Sequence, residues 1–400
     1  MSWARRLGVA GVAIGAVATT VAVERLTVGR SVRRQAQLAL DAAGPYGTLR
    51  GAPGTASADD GTELYYEIDE VGAFVRPSDD GAGGPVAEPV TRGPQPAARG
   101  RLGRLLRRRR QPPPTVVFSH GYCLNQDVWH FQRAALRGAV RAVYWDQRGH
   151  GRSERGRTQG ETGEPVTIEQ LGRDLKAVLD AVAPEGPVVL VGHSMGGMTI
   201  MALAEQFPDY VARRVAGVAF LASSAGELAD VTYGFPAPAV RAVRKVLPGV
   251  LRALGSQQEL VDRGRRATGD LYAGLVRRYS FGTPKDVDPG VARFAERLIQ
   301  SVPVDVVAEF YPAFAAHDKA SALDLLNGLA EDLPVLVLGA ERDEVTPAAH
   351  SERIAAKLPM AEAVVVQGAG HLVLLEFPEQ VNEHLARLLA RSIRFHEPAV

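Results

Sequence analysis

Residues Pro187–Gly197 read Pro-Val-Val-Leu-Val-Gly-His-Ser-Met-Gly-Gly, and Met198–Gln206 continues as a helix-like stretch. The short valine-rich run has the length and composition of a buried strand. It feeds a Gly-x-Ser-x-Gly turn, Gly192 to Gly196, with Ser194 at its tip. Between a strand and a helix this pattern reads as a nucleophile elbow, in which a strained turn lifts the serine hydroxyl out of the sheet. The turn is too sharp for a Cβ at its closest approaches, which requires glycine at Gly192 and Gly196. The backbone N–H of Met195 then sits at a helix N-terminus, where unpaired donors and the macrodipole favour a developing oxyanion. Five-residue matches of this kind arise by chance in a chain with 42 glycines. The strand before it and the helix after it supply the context that a chance match lacks.

A serine hydroxyl is a poor nucleophile at neutral pH and needs a histidine base with a carboxylate to orient it. Leu333–Leu338 is a second apolar run, and it leads into Gly339-Ala-Glu-Arg-Asp343-Glu-Val-Thr-Pro347. A third, Ala363–Val366, leads into Gln367-Gly-Ala-Gly-His371. Asp343 and His371 thus fall on loops just past strand ends, where open α/β sheets gather functional groups. Glu341 and Glu344 flank Asp343 and are alternative partners for the imidazole. The blander readings are a packing serine in a glycine-rich turn and a hydrogen-bonded loop histidine. His193, inside the elbow, is expected to be structural with its side chain turned away from the reacting centre, and His120 and His150 to be turn histidines.

The order Ser194, Asp343, His371 resembles the α/β-hydrolase superfamily, and two upstream motifs extend the resemblance. Pro114–Ser119 leads into His120-Gly121-Tyr122, which is similar to the family's oxyanion-hole motif and implies the Tyr122 N–H as the second donor beside Met195. Asp146-Gln-Arg-Gly-His-Gly-Arg-Ser153 is similar to a family turn that is usually structural. The resemblance covers about residues 60–75 and 115–390. It implies an α/β-hydrolase fold, a mostly parallel sheet flanked by helices with a helical cap, and a serine-nucleophile, esterase- or lipase-like activity. A serine at the elbow disfavours epoxide hydrolase and haloalkane dehalogenase chemistry, which uses a carboxylate there.

None of the nine histidines forms an H-E-x-x-H or H-x-H cluster, and one cysteine, Cys123, cannot build a thiolate site, so no metal and no cofactor is implied. Cys123 follows the oxyanion strand, either lining the pocket, acting as a redox-sensitive thiol or serving as a small buried side chain. A single cysteine permits no intramolecular disulfide.

The motifs divide the chain into a lead-in with the first strands (35–75), an insertion (76–114), a first hydrolase part (115–223), a helical cap (224–332) and a second hydrolase part (333–400). Helix-like segments in the cap are Ala239–Leu254, Gln258–Tyr279, Val291–Gln300 and Pro303–Ala316. Its aromatics, Tyr233, Phe235, Tyr272, Tyr279, Phe281, Phe294, Phe310, Tyr311 and Phe314, either line an apolar acyl or alkyl pocket or form the cap's own core. No cap cluster of arginines or lysines is dedicated to a phosphate or carboxylate.

The insertion is rich in Pro, Gly and Arg, with nine arginines from Arg76 to Arg110 against Asp79, Asp80 and Glu88, and is expected to be disordered. Residues 1–34 carry six arginines and Glu24. These pieces are net +6 and +5 in a chain of net +1, leaving a body of −10. No recognition fold accompanies the arginines, which argues against nucleic acid and for anionic lipid headgroups. Leu7–Val23 is uncharged and apolar; as a helix it is about 26 Å long, close to a hydrocarbon core. The expectation is a membrane anchor with the catalytic domain on the cytoplasmic side; the alternative is a signal peptide cleaved after Ala16-Val17-Ala18, leaving an exported protein.

The sequence therefore points to a membrane-attached serine hydrolase acting on a small-molecule carboxylic ester. Thioester, lactone, carbon–carbon bond hydrolysis and cofactor-free perhydrolysis use the same triad. A non-catalytic, membrane-associated ligand-binding protein on the same fold is the alternative of another class. Nothing in the sequence sets the oligomeric state.

Overall fold

The computed structural model describes residues 45–72, 113–228, 269–329 and 333–396, with a few single positions between 229 and 268. Its centre is an eight-stranded sheet in the order β1-β2-β4-β3-β5-β6-β7-β8. The strands are β1 (Ala52–Ser57), β2 (Glu63–Asp69), β3 (Thr115–Ser119), β4 (Ala142–Trp145), β5 (Val188–His193), β6 (Val215–Leu221), β7 (Val335–Ala340) and β8 (Glu362–Val366). β1 and β2 pair antiparallel and β2 meets β4 antiparallel, while every pairing from β4 through β8 is parallel.

The central strands are mostly apolar, with polar residues only at their ends, because both faces are covered, as parallel sheets with crossover helices require. Every residue of β3, β4, β5, β6 and β7 is buried. Alternate side chains enter opposite cores. Val189 and Val191 join Phe118, Trp129 and Tyr144 on one face, whereas Val188 and Leu190 join Leu175, Leu179, Ile200 and Met201 on the other.

The helices are α1 (His130–Leu136), α2 (Arg157–Thr162), α3 (Ile168–Val182), α4 (Met195–Gln206), α5 (Pro208–Arg214), α6 (Gly269–Ser280), α7 (Pro289–Gln300), α8 (Val304–Ala316), α9 (Ala320–Leu329), α10 (Ala348–Lys357), α11 (Val373–Glu376) and α12 (Pro378–His396). α3 shows how sequence sets such an element. Thr167 accepts the Gln170 N–H as N-cap, and Ile168, Leu171, Leu175, Val178, Leu179 and Val182 make one buried face at helical spacing.

The helices between β6 and β7 do not stand apart from the sheet. Phe294, Ala295 and Leu298 of α7 enter one main core, and Ala322, Leu323 and Leu326 of α9 enter the other. α8 instead lies over the carboxyl ends of the strands, where Val306, Phe310 and Ala313 meet Met195 and Met198 of α4. Of the helices read in this region, 239–254 falls outside the described residues apart from single positions, and 258–279 is described from Gly269.

The insertion joins the sheet at its other end. Asp69 ends β2 beside Ala142, the first residue of β4, and Thr115 begins β3. Arg141 spans the two attachment points, with Nε 3.1 Å from the Glu70 carboxylate and Nη1 3.2 Å from Thr115 Oγ1. Of the insertion, residues 76–112 lie outside the described residues, as does the run Leu7–Val23. Among the described residues no helix is long and apolar enough to cross a membrane, so the membrane expectation gains no support from the structure.

Candidate active site

The turn after β5 carries Ser194 at φ 52°, ψ −118°, a left-handed conformation that a side chain adopts only under strain. The surrounding contacts hold it there. A Cβ on Gly192 would sit 2.5 Å from the Gly196 carbonyl carbon, and one on Gly196 would overlap the Ser119 carbonyl oxygen. The Ser194 N–H is bonded to Leu221 O at 2.9 Å, and its carbonyl accepts the Ser223 hydroxyl at 2.8 Å. The hydroxyl is left to face the loop after β8.

There His371 Nε2 lies 3.0 Å from Ser194 Oγ, and His371 Nδ1 lies 2.8 Å from Asp343 Oδ2. A carboxylate can only accept, so Nδ1 carries the proton and Nε2 is the lone pair facing the hydroxyl. Asp343 is buried, and its Oδ1 accepts the N–H groups of Val345 at 2.7 Å and Thr346 at 2.9 Å. These bonds fix the carboxylate as well as solvating it. The two neighbouring acids are engaged elsewhere: Glu341 accepts the Gly368 N–H, and Glu344 pairs with Arg278 of α6. Asp343 is thus the one of the three that meets the imidazole.

Tyr122 and Met195 flank the same serine. Gly121 lies so close that an added Cβ would be 3.1 Å from Ser194 Cβ, which brings the following N–H, that of Tyr122, alongside. Met195 opens α4. Among the described residues, no backbone carbonyl accepts either N–H.

His120, His150 and His193 are held neutral by burial. His120 Nε2 accepts the Gln147 N–H at 2.9 Å while its Nδ1 donates to Gly121 O; burial, with His150 nearby, keeps its pKa well below the usual imidazole value. His150 Nε2 accepts the Cys123 N–H and Nδ1 donates to Arg148 O, and burial pushes its pKa down to about 4. His193 differs from expectation. Its ring does not turn away but packs 4.9 Å from that of His371, and Nε2–H donates to the His371 carbonyl at 2.9 Å. Burial, then the neighbouring His371, pushes it down to about 3. The strand's last side chain is enclosed at the strand ends, where this bond is its polar outlet.

Two residues escaped the sequence reading. The Thr346 hydroxyl sits 2.8 Å from Ala222 O, 3.0 Å from Asp343 Oδ2 and 3.3 Å from His371 Nδ1, tying the acid loop to the end of β6. Glu376 joins the loop before His371 to the loop after α6. Neither lies in a motif; Thr346 is visible only as a polar residue three positions after the acid.

Cys123 is half-buried at φ 58°, beside Tyr122, Leu228 and Phe314 at the edge of the apolar cluster under α8. Phe281 and Phe294 belong to a main core and Phe310 to the cluster over α4, while Phe314 is half-buried with its ring 4.9 Å from Tyr122. The side chains of Tyr233, Phe235 and Tyr272 lie outside the described residues. Among the described residues no three His, Cys, Asp or Glu side chains are grouped to hold a metal ion.

Residues 114–378 match the family model described as the alpha/beta hydrolase fold. The chain belongs to that family. This alpha/beta hydrolase is 29% identical over 279 residues to the dihydrolipoyllysine-residue acetyltransferase component of an acetoin cleaving system of Pseudomonas putida, a match covering 69% of this chain and 63% of that one. It is 27% identical over 268 residues to 3-oxoadipate enol-lactonase 1 of Acinetobacter baylyi, covering 67% of this chain and 85% of the enol-lactonase. In structure it is similar to a thermophilic esterase from Thermogutta terrifontis, with a TM-score of 0.58 at 22% identity, covering 85% of this chain and 98% of the esterase. The alpha/beta hydrolase is an enzyme with hydrolase activity.

Proposed function

We propose that this hydrolase cleaves a carboxylic ester with an apolar acyl or alkyl group, through an acyl-enzyme on Ser194. The observation that carries the proposal is the unbroken line from Asp343 Oδ2 through the imidazole of His371 to Ser194 Oγ, at 2.8 and 3.0 Å. In this reading His371 Nε2 takes the hydroxyl proton as Ser194 attacks the acyl carbon. Asp343 holds the imidazolium that forms, and the Tyr122 and Met195 N–H groups receive the charge on the carbonyl oxygen. The proton then passes to the leaving alkoxide, and water, activated by the same imidazole, releases the acid.

The apolar preference rests on the half-buried Tyr122, Leu228 and Phe314 beside the elbow. Lactones are the nearest variant because they are cyclic esters, and one relative is an enol-lactonase. We also keep the division into a core of 115–223 and 333–400 with a cap of 224–332, and the membrane attachment through Leu7–Val23, as proposals resting on sequence. A fluorophosphonate probe followed by a p-nitrophenyl ester series from acetyl to palmitoyl tests the function. Labelling at Ser194 with turnover of the series is expected; a protein that is folded yet unlabelled is a binding module instead.

A further inference from the structure

We infer that Glu376 is a positioning residue that binds the His371 loop to the loop 281–283 following α6, so that the two move as one piece. The inference rests on the reading of Ser194 and His371 as nucleophile and base.

Glu376 closes α11 and is half-buried. Its Oε2 accepts the Gly370 N–H at 2.7 Å and the Gly282 N–H at 3.0 Å. Its Oε1 accepts the Thr283 N–H at 3.0 Å and the Thr283 hydroxyl at 3.1 Å. One carboxylate thus gathers four donors from two loops about ninety residues apart, and bonds to an ionised acceptor are roughly twice as strong as neutral ones. The loops are also in direct contact. A Cβ on Gly370 would collide with the Gly282 nitrogen, and one on Gly282 with the Gly368 carbonyl, so both backbones need glycine to approach this closely. On the far side of His371, the Leu372 N–H donates to Ser280 O at 2.8 Å.

The base is therefore bracketed. Gly370 before it is held to Gly282 and Thr283 through Glu376, and Leu372 after it is held to Ser280. α6, which delivers this loop, also pairs through Arg278 with Glu344, next to the acid. A displacement of α6 is transmitted to the His371 backbone, and misplacing a reacting group by about 1 Å costs on the order of 100-fold in rate. Glu376 touches neither the imidazole nor the serine; it acts through Gly370.

The test uses the full-length protein, Glu376→Gln, Thr283→Ala and the double variant. Turnover of p-nitrophenyl butyrate is divided by the number of sites that a fluorophosphonate labels to completion, which removes any unfolded fraction. Glu376→Gln is expected to lower kcat per labelled site by about 10- to 100-fold with KM changed less than about twofold. Thr283→Ala is expected to lower it about threefold or more, and the double variant to lose less than the two single effects combined, because the amide leaves one acceptor oxygen for the four donors and both changes loosen the same link. If kcat per site of Glu376→Gln stays within about twofold of wild type, whatever its melting temperature, the residue is only a staple and the inference falls. Additive losses in the double variant overturn it too. Should Glu376→Gln fail to fold, Thr283→Ala decides alone, and wild-type kcat per site overturns the coupling. A wild-type protein unlabelled at Ser194 overturns the nucleophile reading first, and the coupling with it.

Discussion

A serine held at a positive φ stores strain that the rest of the turn must balance. At Ser194 the balance comes from contacts too close for any residue but glycine and from the Leu221 and Ser223 bonds to its backbone. Replacing Ser194 or His371 by alanine leaves those contacts in place and is expected to reduce kcat roughly a million-fold with an unchanged circular dichroism spectrum, as serine protease triads behave. Asp343→Asn is expected to cost about ten-thousand-fold, because the amide favours the wrong imidazole tautomer. Steady-state kinetics on the three variants checks this, and a Glu344→Gln loss larger than that of Asp343→Asn overturns the choice of acid. Ser194, Asp343 and His371 were legible because each follows a run of apolar residues that ends in a turn. Glu376 was not, since its meaning lies in Gly282 and Thr283, 94 and 93 positions away. His193 was legible as structural but not in direction, because its partner is a backbone carbonyl that no pattern marks.

Among the elements, α8 is the one whose packing bears most directly on the candidate site. It holds Pro312, whose ring removes one helical N–H. The helix is anchored elsewhere, by the Tyr122 hydroxyl on Val307 O at 2.6 Å, by the Val166 N–H on Glu309 O at 3.2 Å, and by Arg155 on Asp305 and Glu309. Phe310 fills the space between, its ring 4.8 Å from His150 and 6.1 Å from Tyr122. Phe310→Ala is expected to lower unfolding stability by about 3–5 kcal/mol, the usual cost of emptying a buried aromatic site. Thermal and urea unfolding measure it, and a loss under about 1 kcal/mol would show that α8 collapses onto the gap or is not docked in solution. The parallel strands were readable because burial on both faces makes them continuous apolar runs. β1, Ala-Pro-Gly-Thr-Ala-Ser, was not, for an edge strand tolerates proline and small residues that carry no such signal.

For the molecule as a whole, the buried histidines set its response to acid. His150 and His193 take up protons in the unfolded chain below about pH 6.5. In the folded chain they do so only near about 4 and about 3. The unfolded state therefore binds more protons through this window, and stability falls as pH drops. Asp146, pushed up by burial to about 6, acts in the opposite sense between pH 6 and 4 and offsets part of the loss. With each tenfold change in proton affinity worth ~1.4 kcal/mol, the two imidazoles together account for several kcal/mol. Urea titrations from pH 8 to 4 should show this decline, and a flat profile contradicts it. Attachment is tested at the same scale. The full-length protein is expected to stay in the membrane pellet through high salt and carbonate and to be released when residues 1–30 are deleted, because salt screens arginines but not an apolar helix. A native N-terminus at Thr19 would instead show a removed signal peptide.

Arg141, reaching both Glu70 and Thr115, keeps the two ends of the 73–112 segment beside each other whatever lies between them. The entropy of closing such a loop rises only with the logarithm of its length, about 0.6 kcal/mol for each doubling. Forty residues in place of ten thus burden the fold by roughly 1.2 kcal/mol. Replacing residues 73–112 with a short Gly-Ser linker is expected to leave melting temperature and ester turnover nearly as they were, and calorimetry with the p-nitrophenyl assay reads both. To a lineage carrying this gene, that junction is a place where a cationic insertion can be gained, lengthened or shed while the sheet and its strand ends are inherited intact.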